Sequence, residues 1–525
     1  MREFNTVLTA LLPLKKTSDG VCYSREYGMK KTSAILSTKG VFAYSLGILG
    51  VQLVFGYVNS IHSEFVRVAY QALDANVLYV AAAIILLGKV LSCIADPIIG
   101  SIIDRSNLKG GKMRPFILFS AIPLAILTVV MFIYIPFDRL GGAGKYVMYL
   151  YIAFMTALWN ISMSFADIPS QGMLARLSPV PKERTKAAAV SNTCKSIGLG
   201  IPGVMITLVS LVFPALKEDA VKSYFVTAAV VALLGVILYL LIYWINRERV
   251  TVATEKPVGF KEMFVELKEN KNIRIVFLGY MLGFGRNIAQ SIPIQASIVL
   301  IGASLSLPVL GDIFLKDYSW VIGLTSAVVS ALGLVAIPFI NKKWGERKSF
   351  VLISLASGVF GLAGFITYLC FPAGSAFRSG TTALWFIWVV QALVSIMYCT
   401  HNYIPTVMTA DILDYQEWKT GTRKDGVDYA ILSMSHKLAT GISMAAGVFL
   451  VGLSGYGREV SAKMQNIVFL AYIGLPAVCS ILSTIPMFFY KIDADTKRQM
   501  HAELSERRAA LAAATEAVPA PTDGE

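Results

Sequence analysis

Six charged side chains lie inside long apolar segments of this sequence, where a charge is costly. They are the basic residues Lys89, Lys195, Arg286 and Lys437 and the acidic residues Asp96 and Asp167. An ionised side chain at the centre of a membrane costs about 2.5–3.5 kcal/mol on insertion scales, so such residues usually face one another or a wet cavity. The chemistry that suits them is the binding of ions and polar solutes. Because the basic residues outnumber the acidic ones, the site is expected to be electropositive or to keep one lysine neutral by desolvation.

Polar residues accompany these charges at helical spacing. They are Ser92 near Asp96, Ser164 and Gln171 near Asp167, and Asn192 near Lys195. Arg286 is predicted to share a helical stripe with Gln290 and Pro293. Polar stripes contributed by both halves of the chain predict a central hydrophilic cavity. The alternative interpretation is a set of structural salt bridges between helices.

The composition requires a membrane environment for most of the chain. Of 525 residues, 55% are hydrophobic and 15% are charged, and the mean hydropathy is +0.63. Soluble domains carry about 25% charged residues, so the composition excludes an ordinary soluble enzyme. At about 20 residues per span, a dozen transmembrane helices fit within this length.

Apolar runs long enough to cross a bilayer predict twelve helices in two halves. The predicted spans are 40–62, 76–104, 114–136, 146–175, 184–214, 221–246, 273–302, 318–341, 348–371, 381–410, 427–455 and 465–490. They divide the chain into a tail at 1–38, a six-helix bundle at 39–246, a hydrophilic linker at 247–272, a second six-helix bundle at 273–491 and a partly disordered tail at 492–525. The predicted fold class is therefore an all-α membrane protein with two pseudo-symmetric six-helix bundles.

The charge distribution predicts which side of the membrane holds the termini. Lys and Arg are concentrated in the two tails and in alternate loops, while the opposite loops hold few of them. Such a bias places both termini and the linker in the cytoplasm. It also explains the net charge of +14 by contact with anionic lipid, without a nucleic acid partner.

The sequence carries no signature of an enzyme or a metal site. Its six cysteines are scattered without a CxxC pair, and HExxH, GxSxG, Walker and dinucleotide-binding motifs are missing. We therefore predict no catalytic residue, no metal site and no cofactor. Two remote alternatives are a transport-dead sensor and a membrane enzyme that acts on a lipid-linked sugar.

Three polar motifs mark the ends of predicted helices. They are ADPIIGSIIDRSNLKGGKMRP at 95–115, ADIPSQGMLARLS at 166–178 and TADILDYQEWKTGTRKDG at 409–426. Together they resemble the motifs of the glycoside–pentoside–hexuronide:cation symporters, the branch of the major facilitator superfamily that contains the melibiose permease. The resemblance covers about residues 38–491 and implies the major facilitator fold.

The resemblance also implies roles for individual residues. Asp96 matches the cation-site aspartate of the family, and Ser164 takes the place of a hydroxyl residue at the same site. Asp167 matches the fourth-helix aspartate that is associated with sugar and coupling ion. Lys437 falls where the family has its eleventh-helix lysine.

Three departures from the family pattern concern the substrate and the ion. Ser92 stands where the family usually has a second acid, which weakens the case for sodium and slightly favours a proton. Gln171 replaces a tryptophan that stacks on the sugar in melibiose-transporting members, and Asn192 replaces an arginine. Recognition of galactosides is therefore not expected.

The sequence as a whole predicts secondary active symport of a sugar or glycoside across the plasma membrane by alternating access, with hexuronides and glucuronides as candidate substrates. The alternative is a neutral oligosaccharide transporter that is sodium-coupled or uncoupled. Predicted substrate contacts are Asp167, Lys437, Arg286, Gln171, Asn192 and Lys195, and predicted cation-coupling residues are Asp96, Ser92, Ser164 and Asp167. A cytoplasmic gate of ion pairs is predicted from Asp104, Arg105, Lys112, Arg114, Asp411, Asp414, Glu417 and Arg423. The expected partners are the sugar, the cation and membrane lipid, and the protein is expected to act as a monomer.

Overall fold

The long apolar segments fold as helices, because a bilayer offers backbone amide and carbonyl groups no partner outside their own segment. The computed structural model describes residues 36–249, 260–301 and 328–506, with gaps at 107, 109, 179, 218, 330–331, 334–335, 338, 374, 376, 379, 422–424, 458, 494 and 505. Eight helices in this part of the chain are long and apolar enough to cross a membrane, and one bent pair of helices adds a ninth.

The first half of the chain forms seven α-helices. They are α1 Thr38–Tyr70, α2 Val77–Arg105, α3 Arg114–Val130, α4 Gly144–Arg176, α5 Pro181–Gly200, α6 Pro202–Val212 and α7 Ala220–Ile245. The segment predicted as a single fifth span is the pair α5 and α6, bent by 56°. Pro202 begins α6 and has no amide hydrogen to continue the hydrogen-bond ladder of α5, which explains the bend.

The second half is more interrupted. Its α-helices are α8 Phe260–Glu269, α9 Lys271–Leu282, α10 Ile288–Ser291, α11 Pro293–Leu300, α12 Glu346–Cys370, α13 Gly380–Thr420, α14 Asp425–Leu453, α15 Ala462–Phe469, α16 Leu475–Leu482 and α17 Thr484–Met487. A 3-10 turn at Phe284–Asn287 separates α9 from α10, and a π-helical turn at Leu470–Gly474 separates α15 from α16. Residues 495–504 form a further helical stretch after the last span.

The predicted seventh span is discontinuous. It consists of α9, the 3-10 turn, α10 and α11, with breaks at Gly283 and Ile292. Pro293 at the start of α11 explains the second break, since proline cannot donate to the preceding turn. Most of the predicted eighth span, 318–341, lies outside the described residues.

The first and last described helices define two sides of the molecule. The side on which α1 begins and on which residues 495–504 lie is called the termini side here, and the opposite side is called the far side. Lys497 contacts Glu346 and Asp411 on the termini side, at the start of α12 and the end of α13.

The two halves meet where α2 packs against α14. The two helices run antiparallel, with Gly452 near Leu78 and Gly441 near Lys89. A Cβ atom on Gly441 would lie 2.7 Å from the Cβ of Lys89, so only glycine permits this approach. Small residues at such crossings are typical of packed transmembrane helices. The contact brings Asp96 of α2 next to Lys437 of α14.

Candidate functional site

A central cavity of about 280 Å3 lies between the two halves. This volume is close to the lower end of the range for small-molecule sites. Six of the predicted site residues line it: Ser92, Ser164, Asp167, Gln171, Lys195 and Lys437. Its wall extends along α4, α13 and α14 to the exposed side chains of Gln171, Thr406 and Tyr429. The cavity therefore opens toward the termini side.

An ion pair between Lys437 of α14 and Asp96 of α2 lies beside this cavity. The two side chains are 23% and 19% exposed. The ammonium of Lys437 also donates to the hydroxyl of Ser164 at 3.4 Å, and the hydroxyls of Ser164 and Ser92 share a hydrogen bond of 3.0 Å. The ammonium thus touches the same oxygen atoms that the sequence predicted for a coupling cation.

The second carboxylate oxygen of Asp96 remains available. Its Oδ1 atom is buried and has no hydrogen-bond partner among the described residues. A buried acceptor without a partner costs free energy, which a bound proton or a water molecule would recover.

Asp167 faces the cavity and is held by its own helix. The side-chain amide of Gln171 donates to its carboxylate at 2.9 Å. Within the described part of the chain, Asp167 forms no ion pair. A carboxylate in this position can accept hydrogen bonds from the hydroxyl groups of a bound solute.

Two of the four membrane-embedded cations are engaged with aromatic rings. Lys89 is 6% exposed, and its Nζ atom lies 4.8 Å from the ring centroid of Phe55 and 5.8 Å from that of Trp159. The guanidinium of Arg286 lies 3.9 Å from the ring centroid of Tyr280. Such contacts stabilise a cation without an acidic partner.

Arg286 also donates hydrogen bonds to backbone carbonyls of the broken seventh span. Its Nη1 atom donates to the carbonyls of Gly283 and Tyr280, at 2.7 and 3.1 Å. These carbonyls lie at the end of α9, where helical partners are missing. Arg286 does not line the cavity, and the helical stripe predicted for it with Gln290 and Pro293 is wrong because the chain is not one continuous helix there.

Lys195 lines the cavity and forms no ion pair with the other described residues. Asn192, one turn earlier on α5, is exposed and is not part of the cavity wall. A solute in the cavity would therefore meet Lys195, and Lys89 of the same half also lines the cavity wall.

Several cavity residues were not predicted from the sequence. They are Gln52 and Phe55 of α1, Tyr280 and Asn287 of the seventh span, and Asn402 and Thr406 of α13. A lone amide in an apolar run, as at Gln52, is the signal that identifies such a residue. The aromatic residues give no such signal, because any apolar helix contains them.

The predicted gate residues of the first half contact their own half. The backbone amides of Lys112, Met113 and Arg114 donate to the carboxylate of Glu248, at 3.1, 2.6 and 2.9 Å. The guanidinium of Arg114 donates to the carbonyl of Tyr243 at 2.7 Å. Arg105 is exposed at the end of α2, and the side chain of Asp104 is outside the described set.

Asp411, one of the predicted gate residues of the second half, also contacts its own half. Asp411 pairs with Lys497, which also pairs with Glu346. Asp414 and Glu417 are partly exposed on the same helix, and Arg423 lies outside the described residues. The contacts of Arg114 and Asp411 within their own halves agree with a cavity that is open on this side. The predicted gate between the halves remains a prediction for another conformation.

The far side is closed by hydrogen bonds between the halves. The hydroxyl of Ser60 in α1 donates to the carbonyl of Gln290 at 2.8 Å, and the amide of Gln295 in α11 donates to the carboxylate of Glu64 at 3.0 Å. These bonds lie beyond the cavity on the side where α1 ends. In the described part of the chain, no group of three or more His, Cys, Asp or Glu residues is arranged to hold a metal ion.

Relatives of this chain are transport proteins. An isoprimeverose transporter of Lactiplantibacillus pentosus is 24% identical over 475 residues, which cover 89% of this chain and 91% of the relative. A glucuronide carrier protein homolog of Escherichia coli K12 is 23% identical over 486 residues, covering 90% of this chain and 96% of the relative. Among solved structures, a D-xylose–proton symporter aligns with a TM-score of 0.58 at 13% identity, covering 86% of this chain and 98% of that one.

A helix bundle in two halves around a polar central cavity defines a secondary active transporter of the major facilitator type. Residues 71–494 match the model of the MFS/sugar transport protein family, and the chain belongs to that family. The predictions of the symporter family, the all-α major facilitator fold, a multi-pass plasma-membrane protein and secondary active sugar transport rather than enzymatic activity are confirmed.

Proposed function

We propose that this protein moves a hexuronide, or another glycoside that carries a carboxylate, together with a proton. The observation that carries the proposal is the ion pair between Lys437 and Asp96. It places a tethered ammonium where the resemblance to cation symporters places the coupling ion. The same pair of residues would therefore bind both the substrate and the coupling proton.

A sodium ion would compete with Lys437 for the same oxygen atoms. The ammonium already contacts Asp96 and the hydroxyl of Ser164. Two positive charges about 4 Å apart repel by about 4 kcal/mol at an effective dielectric constant near 20. Ser92, in the place of a second acid, supplies no negative charge to offset that repulsion. A proton on Asp96 neutralises the carboxylate and places no second cation beside the ammonium. Proton coupling is therefore favoured over sodium coupling.

Proton and substrate would bind together by an exchange of partners. A proton that binds Asp96 removes the negative charge and releases the ammonium of Lys437. The released ammonium then pairs with the carboxylate of the substrate in a charge-assisted contact. The empty site and the loaded site carry the same net charge, and in both of them the ammonium has an anionic partner. Binding of the proton therefore raises the affinity for the substrate, and binding of the substrate raises the affinity for the proton.

The remaining cavity residues suit the sugar ring. Asp167 accepts hydrogen bonds from sugar hydroxyls, and the amide of Gln171 fixes the orientation of that carboxylate. Lys195 offers a second ammonium from the first half. A relative of this chain is a homolog of a glucuronide carrier, which supports a carboxylated substrate.

A neutral oligosaccharide is the second candidate substrate. Lys89 lies against aromatic rings and Arg286 bonds to backbone carbonyls, so two of the four cations have structural partners. The remaining lysines also donate hydrogen bonds to hydroxyl groups. One relative is an isoprimeverose transporter, and its match favours this candidate. Such a transporter would be sodium-coupled or uncoupled.

In the proposed orientation, the termini side faces the cytoplasm. The excess of Lys and Arg in the tails and alternate loops supports it. The cavity then opens inward, the hydrogen bonds of the far side close the outer side, and transport proceeds when the two halves rock about the cavity. The protein is proposed to work as a monomer surrounded by lipid.

Uptake into proteoliposomes tests the substrate class. A labelled glucuronide and its uncharged glucoside are supplied separately under an imposed inward proton gradient. Faster accumulation of the glucuronide is expected, because only that substrate takes the place of Asp96 on Lys437. Equal or faster accumulation of the glucoside would identify the neutral sugar as the substrate.

A further inference from the structure

Glu64 is a buried carboxylate in the last third of α1, near the far side. Its side chain is 1% exposed, although it lies near the end of α1. Arg67, one turn later on α1, pairs with it at 2.7 Å. A carboxylate this deeply buried is retained only where its hydrogen bonds are satisfied.

The other partners of Glu64 come from the second half of the chain. The side-chain amide of Gln295 in α11 donates to its Oε2 atom at 3.0 Å, and the hydroxyl of Tyr456 donates to its Oε1 atom at 3.3 Å. The amide of Gln71 in the first half donates to the carbonyl of Tyr456 at 3.1 Å. One acidic side chain thus joins α1 to the seventh span and to the turn after α14.

The seventh span connects these contacts with the central cavity. Gln290 lines the cavity, and its carbonyl accepts a hydrogen bond from Ser60 of α1 at 2.8 Å. Gln295 follows five positions later, beyond the break at Ile292. The break at Ile292 therefore separates a cavity residue, Gln290, from a partner of Glu64, Gln295. Broken helices in transporters commonly mark the elements that move.

We propose that Glu64 is the central residue of a far-side gate, whose hydrogen bonds to Gln295 and Tyr456 must break before the cavity opens to the far side. Arg67 makes this gate reversible. Because Arg67 lies on the same helix as Glu64, the carboxylate keeps its cationic partner when the halves separate, and no buried charge is left alone.

Labelling of a single cysteine tests the gate. Leu199 lines the cavity, so Leu199→Cys is introduced after the native cysteines have been replaced. A membrane-impermeant maleimide is applied to each side of the membrane in turn, without any substrate. In the parent protein, the faster side identifies the side to which the cavity opens. With Glu64→Gln, labelling from the opposite side is expected to rise about tenfold, since charged hydrogen bonds are the stronger ones.

Asp74 provides the matched control. It is another acidic residue on the far side, and its partners Tyr149 and Asn76 both belong to the first half. Asp74→Asn should leave the labelling rates unchanged. Gln295→Leu removes a partner of Glu64 without touching the acid, and it should also raise labelling from the far side. This second variant answers the question if Glu64→Gln does not reach the membrane.

Unchanged far-side labelling in a folded Glu64→Gln or Gln295→Leu protein would overturn the gate. An equal rise with Asp74→Asn would also overturn it, because general loosening of the far side would then explain the result. The labelling requires no knowledge of the sugar or the coupling ion. A failure of the gate is therefore distinguishable from a failure of the proposed substrate.

Discussion

Lys437 and Asp96 form an ion pair that joins the two halves of the protein beside the central cavity. The pair lies at the crossing of α2 and α14, and the hydroxyl of Ser164 lies 3.4 Å from the same ammonium. A pair in this position links the acid that would take up the coupling proton to the base that would hold the substrate.

Replacing Lys437 with Gln should affect a charged sugar more than an uncharged one. Without the ammonium, a substrate carboxylate loses its partner, while hydroxyl groups retain Asp167 and Gln171. Glucuronide uptake is expected to fall about tenfold more than uptake of the matched glucoside, as for loss of one charge-assisted contact. Equal losses for the two sugars would show that Lys437 is a structural lysine. Initial rates in proteoliposomes give the comparison.

Replacing Asp167 with Asn should abolish concentrative uptake while the protein stays in the membrane. The carboxylate accepts hydroxyl hydrogen bonds and has no cationic partner among the described residues, so its loss should damage binding rather than folding. Substrate affinity is expected to fall at least about tenfold. Substrate protection against thermal unfolding reports affinity without transport. Full uptake by Asp167→Asn would remove this residue from the site.

Replacing Lys195 with Gln should lower the affinity for a carboxylated sugar by about threefold to tenfold, because one ammonium leaves the cavity wall. Lys222 is the matched control, since it is an exposed lysine that pairs with Asp219 on the far side. Lys222→Gln should leave uptake at the parental level. Competition of unlabelled glucuronide against labelled substrate measures both variants. Identical curves for the two variants would argue that Lys195 does not contact the substrate.

Replacing Gly111 with Ala should destabilise the loop between α2 and α3. Gly111 has φ +114°, and an added Cβ atom would lie 2.4 Å from the carboxylate of Glu248. A non-glycine residue in such a backbone conformation costs about 1–3 kcal/mol. The temperature of half-inactivation in detergent should fall by several degrees. Gly142→Ala is the control, because an added Cβ atom there meets no other atom within 4 Å.

The helices and the cavity were predictable because both follow from local patterns. Apolar runs define spans, and a carboxylate or an ammonium within a span is too costly to face lipid. Asp167, Lys195 and Lys437 were therefore assigned to a cavity from the sequence, and the structure places all three in its wall.

The partners of these charges were not predictable. Pairing of Asp96 with Lys437 depends on how α2 crosses α14, and no local pattern contains that geometry. The structural role of Arg286 was not predictable either. A charge inside an apolar segment was interpreted as a ligand-binding group, while the break at Gly283 exposes carbonyls that this arginine satisfies.

Glu64 was missed because the first span was predicted to end at residue 62. The helix continues to Tyr70, and the polar residues after 62 are buried against the second half instead of facing water. A sequence pattern cannot distinguish a charged loop from a charged helix end that packs against another domain, since both interrupt the apolar run.

The most direct test is the movement of protons that a substrate causes in sodium-free proteoliposomes. A glucuronide is added outside without any imposed gradient, the membrane potential is clamped at zero, and the external pH is recorded. We expect the external medium to become more alkaline as the substrate enters, and Asp96→Asn to abolish the signal while still exchanging labelled for unlabelled substrate. Substrate entry without alkalinisation, or entry that requires added sodium, would contradict the proposed exchange of Lys437 between Asp96 and the substrate.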